Sequence, residues 1–152
     1  MRGAKVIMAC RDMNKCESVR KEIVIESSNK YIYCRKCDLA SMESIKQFAK
    51  RFNEGNSYLS DLQNFSIDID WLVEESRLDI LINNAGVMRC PKSLTSEGIE
   101  MQLGVNHMGH FLLTYLLLDK IKVSFMLAVI LSRITNLVLG YIWLWDFFLI
   151  IT

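Results

Sequence analysis

Leu78-Asp79-Ile80-Leu81-Ile82 is an apolar run of strand length, and it gives way abruptly to Asn83-Asn84-Ala85-Gly86. A short apolar run closed by polar turn residues reads as a buried strand of a parallel sheet. No other stretch constrains the fold as strongly. Parallel strands need long crossover connections, and the crossovers lay helices on the sheet. In open sheets of this kind, ligands bind outside the carboxyl ends of the strands. Asn83-Asn84-Ala85-Gly86 stands at such an end. Its small residues let a flat ligand approach the backbone, and Gly86 permits positive φ. The plainer alternative is an Asn-Gly-type turn with no ligand.

The rest of the chain supplies matching elements. Lys5-Val6-Ile7-Met8-Ala9 reads as a strand. Asp12 can cap a helix running to about Ser27. Tyr31-Ile32-Tyr33-Cys34 reads as a second strand. Ser41 can cap a second helix, which carries Ile45, Phe48, Ala49 and Phe52 on one face at helical spacing. Glu100 to Lys122 reads as one long helix containing Gly104 and Gly109. Strand and helix alternate, which predicts an α/β fold with parallel strands and right-handed crossovers.

Composition narrows the function. A chain of 152 residues suits one domain with a real core, and a net charge of +1 gives no argument for nucleic acid. Five cysteines and no signal-peptide pattern at the start predict reduced thiols facing the cytosol. Cys34-x-x-Cys37 has the spacing of a redox or half-zinc motif, but no second pair accompanies it. His107 and His110 are i, i+3 neighbours without a third ligand at suitable spacing, so no metal site is expected.

Four landmarks occur in order: Ala9-Cys10-Arg11, Cys37-Asp38-Leu39, Asn83-Asn84-Ala85-Gly86 and Val105-Asn106-His107-Met108-Gly109-His110-Phe111. Each is weak alone. Together they make the chain resemble the short-chain dehydrogenase/reductase family, above all its retinol-dehydrogenase branch, from about Gly3 to Lys122. The resemblance implies NADP(H)-dependent interconversion of alcohols and carbonyls, with retinoid or other lipophilic substrates. In a dinucleotide fold, an Arg near this strand end accommodates a 2′-phosphate, so Arg11 favours NADP(H) over NAD(H). The bland reading of Arg11 is a solvated residue at a helix start. The resemblance assigns Asp38 to the adenine amino group and the Leu39 backbone to the adenine ring. Asn83, Ala85 and Gly86 would line the adenine-ribose and nicotinamide side of the cleft. Asn106 matches the helix Asn of the family's catalytic tetrad, which helps hold a water in the proton relay. For Asp38 the bland reading is a helix-entry turn, and for Asn106 a polar residue on a helix face.

The departures are as telling. The family opens with a strand and a Gly-rich loop whose amides cradle a pyrophosphate, and residues 1–152 hold no such loop. The family also needs Tyr-x-x-x-Lys, where the Lys lowers the Tyr pKa. Four residues beyond Tyr31, Tyr33, Tyr58, Tyr115 and Tyr141 stand Arg35, Cys37, Leu62, Asp119 and Trp145. This chain is therefore expected not to turn over. The expected fold is an incomplete Rossmann-like, doubly wound parallel sheet with helices on both faces and its first strand missing. That strand would lie between the Val6 strand and the Ile80 strand. Its loss should make those two strands close up, or leave each with an unpaired edge that recruits other chains and lowers solubility.

Two segments depart from the family pattern. Residues 55–73 read as an insertion into the domain spanning residues 1–122. Residues 123–152 are Trp-, Leu- and Ile-rich, with Arg133 and Asp146 as the only charges. About 20 apolar residues suffice for a membrane span, although a buried charge costs roughly 2.5–3.5 kcal/mol near a helix centre. The loss of pattern at Lys122 points to untranslated sequence read as coding in both segments. Two rival functions remain. One is a non-catalytic interaction protein, forming a homo-oligomer or joining a relative through the Glu100–Lys122 helix. The other is a membrane-anchored remnant held by the tail. The expected location is the cytoplasm or the cytosolic face of an intracellular membrane such as the endoplasmic reticulum.

Overall fold

The computed structural model describes residues 4–54, 77–121 and 147–151. Strand β1 (Val6–Cys10) leads into helix α1 (Met13–Ser27), then strand β2 (Ile32–Lys36) and helix α2 (Met42–Glu54). Strand β3 (Ile80–Ile82) follows. A continuous helical stretch comes next. It comprises α3 (Met101–Leu103), a π-helical segment (Gly104–Gly109), α4 (His110–Leu117) and a final 3₁₀ turn (Leu118–Lys120). Strand β4 (Phe147–Ile151) completes the elements.

Both helix starts expected from the sequence are present. The Asp12 carboxylate accepts the Lys15 amide at 3.1 Å, and the Ser41 hydroxyl accepts the Ser44 amide at 3.3 Å. Each satisfies a donor that the first helical turn leaves without an internal partner. Strands β1 and β2 pair in parallel, with Met8 opposite Cys34. Alternation along β1 sends its side chains to two separate cores. Ile7 and Ala9 join Ile45, Phe48, Phe52, Leu81, Leu113 and Leu117 under α2 and α4. Met8 and Cys10 join Cys16 and Ile32 under α1. Helices thus cover both faces of the sheet.

The sheet itself corrects one expectation. Its order is β2-β1-β4-β3, and β4 runs antiparallel to both of its neighbours. Strands β1 and β3 neither close up nor face each other with bare edges. Val6 pairs with Ile151 and Cys10 with Phe147 on one side of β4, while Ile80 pairs with Ile151 and Ile82 with Leu149 on the other. The reason is backbone hydrogen bonding. Two buried strand edges need donors and acceptors, and Phe-Phe-Leu-Ile-Ile is a run of strong strand formers. An antiparallel ladder satisfies them at least as well as a parallel one. The described sheet is therefore mixed rather than wholly parallel. The insertion at 55–73 and the greater part of the tail lie outside the described residues. Among the described residues no helix is long and apolar enough to cross a membrane.

The cysteines give a second correction. Cys16 and Cys34 form a disulfide with their Cα atoms 6.0 Å apart, where reduced thiols were expected. Strand alternation explains the pairing. Cys34 lies on the α1 face, where it meets Cys16 in the first turn of α1. Cys37 is three residues on, belongs to the opposite core, and cannot be the partner of Cys34.

Because β4 is central, a Pro within it removes a ladder hydrogen bond that no solvent replaces. The Ile150→Pro variant is expected to lose its cooperative urea transition and to elute as higher oligomers on size exclusion. A monomer with an unchanged transition midpoint would contradict the central placement.

Candidate functional site

The carboxyl ends of β1, β2 and β3 lie together at one edge of the sheet, and the four landmarks meet there. The Cys37 amide donates to the Cys10 carbonyl at 2.9 Å, which sets Cys10-Arg11 beside Cys37-Asp38. Arg11 is exposed, immediately beyond β1. The Lys36 ammonium donates to the Arg11 carbonyl at 2.5 Å. Two basic residues therefore stand at this edge. Lys36 escaped the reading of the sequence because only the strand register, Cys10 opposite Lys36, reveals it.

Asp38 starts the turn into α2. Its carboxylate accepts the Ala40 amide at 2.9 Å, and its own amide donates to the Ser44 hydroxyl at 2.9 Å. This is an Asx turn, a local bond that fixes the backbone before a helix. Leu39 is buried, and its carbonyl faces Gly109 of the helical stretch. A Cβ on Gly109 would stand 2.6 Å from that carbonyl oxygen, so only glycine allows the two segments this close. Gly104, five residues earlier, faces the Thr95 side chain in the same way.

Between those two glycines lies Asn106. Its side-chain carbonyl accepts the Val87 amide at 2.8 Å, and its Nδ2 donates to the Val87 carbonyl at 2.8 Å. This two-way clamp holds the segment after β3 against the π-helical segment. π-Segments inside α-helices recur at functional sites, because the wider turn re-aims side chains and carbonyls. The His110 Nδ1 lies 3.1 Å from the Asn106 carbonyl oxygen.

The Asn83-Asn84-Ala85-Gly86 stretch sits under this clamp. The Asn83 Nδ2 donates to the Thr114 hydroxyl at 3.0 Å, tying the end of β3 to α4. Its Oδ1 is buried with no hydrogen-bond partner among the described residues. Ala85 packs against the larger core. Gly86 needs a correction. Among the described residues Gly98 is the glycine at positive φ, and Gly86 is not in that region. Its smallness serves closeness instead, since a Cβ there would lie 3.3 Å from the Asn106 Oδ1. Arg89 just beyond has φ 51, a left-handed conformation that costs a non-glycine residue energy and recurs beside ligand sites.

Electrostatics separate the reactive groups from the inert ones. Burial, reinforced by the neighbouring Asp38 carboxylate, pushes the Cys37 thiol up to about 12, which removes it as a nucleophile. Burial also holds His110 below its ordinary value of 6.5, partly offset by the Asn106 carbonyl and helped by His107. Glu100 is held low by the Gln102 and Leu103 amides that it caps. Among the described residues the histidines gather no metal-ligating cluster; the group that could hold an ion is Cys10, Cys16 and Cys34, on the α1 face of the sheet.

The His110 shift fixes a sign for stability. A base with a lowered folded pKa contributes fully above its unfolded pKa, and that stability is lost as pH falls below it. Urea midpoints should therefore drop between about pH 7 and about pH 5. The His110→Gln variant should show a flatter profile over that window. Parallel profiles would place the titration elsewhere.

The family model for short chain dehydrogenases matches residues 1–126. Human retinol dehydrogenase 13 is 50% identical over 136 residues, covering 90% of this chain and 34% of that protein. Mouse retinol dehydrogenase 11 is 47% identical over 136 residues, covering 90% and 35%. The chain thus spans about a third of the length of the curated relatives it matches. The crystal structure of an uncharacterised protein from Mycobacterium Paratuberculosis is 34% identical, with a TM-score of 0.54 over 76% of this chain and 33% of that one. The Pseudomonas aeruginosa RhlG/NADP active-site complex shares the fold at 24% identity, with a TM-score of 0.50 over 78% and 38%. The chain belongs to the short-chain dehydrogenase/reductase family and is retinol dehydrogenase-like within it.

Proposed function

We propose that this chain carries the adenosine-side half and the helix asparagine of an NADP(H)-dependent oxidoreductase that interconverts lipophilic alcohols and carbonyls. One observation carries the reading. Arg11 and Lys36 place two cations at the strand edge where a dinucleotide fold receives the adenosine ribose, and a 2′-phosphate is the group that needs them. Asp38 and the Leu39 backbone would take the adenine, and the Gly86 segment, held against the Asn106 side chain, would line the cleft beside it. Asn106 keeps the Val87 backbone in place from the π-helical segment. Those features fit the adenosine end of the cofactor. Residues 1–152 offer no Gly-rich loop for the pyrophosphate, so that part of the fit is not met by this chain.

The bound nicotinamide would supply hydride exchange with the substrate carbon. This chain's own residues bind, orient and position. Proton transfer at the substrate oxygen is not assigned to them, since no Tyr-x-x-x-Lys occurs. By itself the chain is inactive in this reading. The retinoid-like substrate class rests on the resemblance to retinol dehydrogenases.

A second reading has its own observation. Leu103, Phe111, Tyr115 and Leu118 are each more than half exposed along the helical stretch. Exposed apolar residues at helical spacing suit a partner helix. The chain would then act as a non-catalytic interaction protein, pairing with a second copy or a full-length relative, with or without a membrane anchor in the tail.

Two experiments separate the readings. Titration of the chain with 2′-phospho-ADP-ribose and with ADP-ribose, followed by calorimetry, should favour the phosphorylated ligand. Arg11→Ala and Lys36→Ala should each reduce that preference by about tenfold, the value of one charge-assisted hydrogen bond. Equal affinity for both ligands, unmoved by Arg11→Ala, would sink the NADP(H) reading. Co-purification with a full-length relative that Phe111→Glu abolishes would support the second reading, and its persistence in that variant would not.

A further inference from the structure

Three sulfurs meet on the α1 face of the sheet. Cys10 closes β1, Cys16 lies in the first turn of α1, and Cys34 is the middle residue of β2. Their Sγ atoms all lie within 4.8 Å of one another. The Sγ atoms of Cys10 and Cys16 both sit over the Met8 carbonyl oxygen, at 3.4 and 3.7 Å. Cys10 and Cys16 are buried among Met8, Ile32, Ile23 and Val24, while Cys34 is half-buried and gives a path from solvent. Nothing in the proposed NADP(H) reading uses these sulfurs.

One use of a third sulfur beside a disulfide is exchange, and strand geometry argues against its Cys10–Cys34 product here. Cys34 sits opposite Met8, and Cys10 is two residues further along β1. Adjacent strands are about 4.8 Å apart and two residues advance about 6.6 Å, so the Cα atoms of Cys10 and Cys34 are about 8 Å apart. That exceeds the roughly 7 Å reach of a disulfide. A shared cation suits the spacing better. Three thiolates each about 2.3 Å from a metal ion lie about 4 Å from one another. Reaching that arrangement requires only that the Cys16 and Cys34 sulfurs separate after their bond opens.

We propose that the reduced chain binds one thiophilic d¹⁰ cation, of the zinc, cadmium or copper(I) class, through Cys10, Cys16 and Cys34. Opening the disulfide consumes two electrons from a phosphine or from small-molecule thiols, and each freed sulfur gains a proton. A phosphine leaves as its oxide with oxygen from water, and two thiols leave as their own disulfide. The cation then displaces one proton from each of the three thiols to solvent and forms three metal–sulfur bonds. A divalent ion leaves a single negative charge on the site, beside half-buried Cys34. The disulfide state and the metal-bound state exclude each other, because they use the same sulfurs.

The test is titration of the full 152-residue chain with cadmium ion alone, anaerobically, after phosphine reduction. The expected result is a thiolate-to-cadmium ultraviolet band that saturates at one ion per chain, with a three-sulfur cadmium-113 chemical shift. Cys10→Ser and Cys34→Ser should each weaken binding by more than about tenfold and lower the sulfur count. Cys90→Ser, outside the cluster, should change nothing, and the oxidised chain should give no such band. Absence of the band, saturation at one ion per two chains, or a three-sulfur shift that survives Cys10→Ser would overturn the proposal. If a serine variant fails to fold, the chemical shift of the unsubstituted chain decides alone, and a shift for two sulfurs or fewer overturns it.

Discussion

The approach of the helical stretch to the strand edge is the constraint on which the site depends. Gly109 permits contact with the Leu39 carbonyl, Gly104 permits contact with Thr95, and Asn106 between them grips both polar groups of Val87. Each contact supports the next. Without the two glycines the helix would stand off, and the Asn106 amide could not reach Val87. Without the clamp, the segment after β3 would lose the partners of the Val87 amide and carbonyl. The π-helical segment lies in this span, and its wider turn brings Gly104, Asn106 and Gly109 into use at once.

Local signals were the ones legible in the sequence. Asp12 and Ser41 cap their helices as read, because an N-cap is a bond between residues three apart and needs no tertiary context. The amphipathic face of α2 was equally clear, and Ile45, Phe48, Ala49 and Phe52 are all buried. The landmarks for the edge were found in order, yet their physical roles shifted. Gly86 serves close approach to Asn106 rather than a positive φ, and a lone glycine does not say which of the two it serves. Asn83 binds Thr114 of α4, a partner 31 residues away that no local pattern announces.

What stayed hidden was non-local. Phe147–Ile151 is an apolar run, and periodicity alone cannot tell a buried strand from part of a membrane helix. Its place between β1 and β3 depends on two edges far away in sequence. The Cys16–Cys34 bond was missed for a related reason. Spacing drew attention to Cys34-x-x-Cys37, but a three-residue offset along a strand sends the side chains to opposite faces. Lys36 likewise gained its position from register with Cys10, not from any motif.

The central strand also sets a schedule. Val6 finds its partner Ile151 only after almost the whole described chain has been made. During synthesis, β1 and β2 can pair and the first two helices can dock, but the middle of the sheet must wait. Closing so long a loop is entropically slow, and contacts of this kind are made late. In the interval the inner edges of β1 and β3 are templates for any extended apolar segment nearby. Among the described strands the one that joins the two halves is thus the latest made, and its arrival decides when both inner edges are covered.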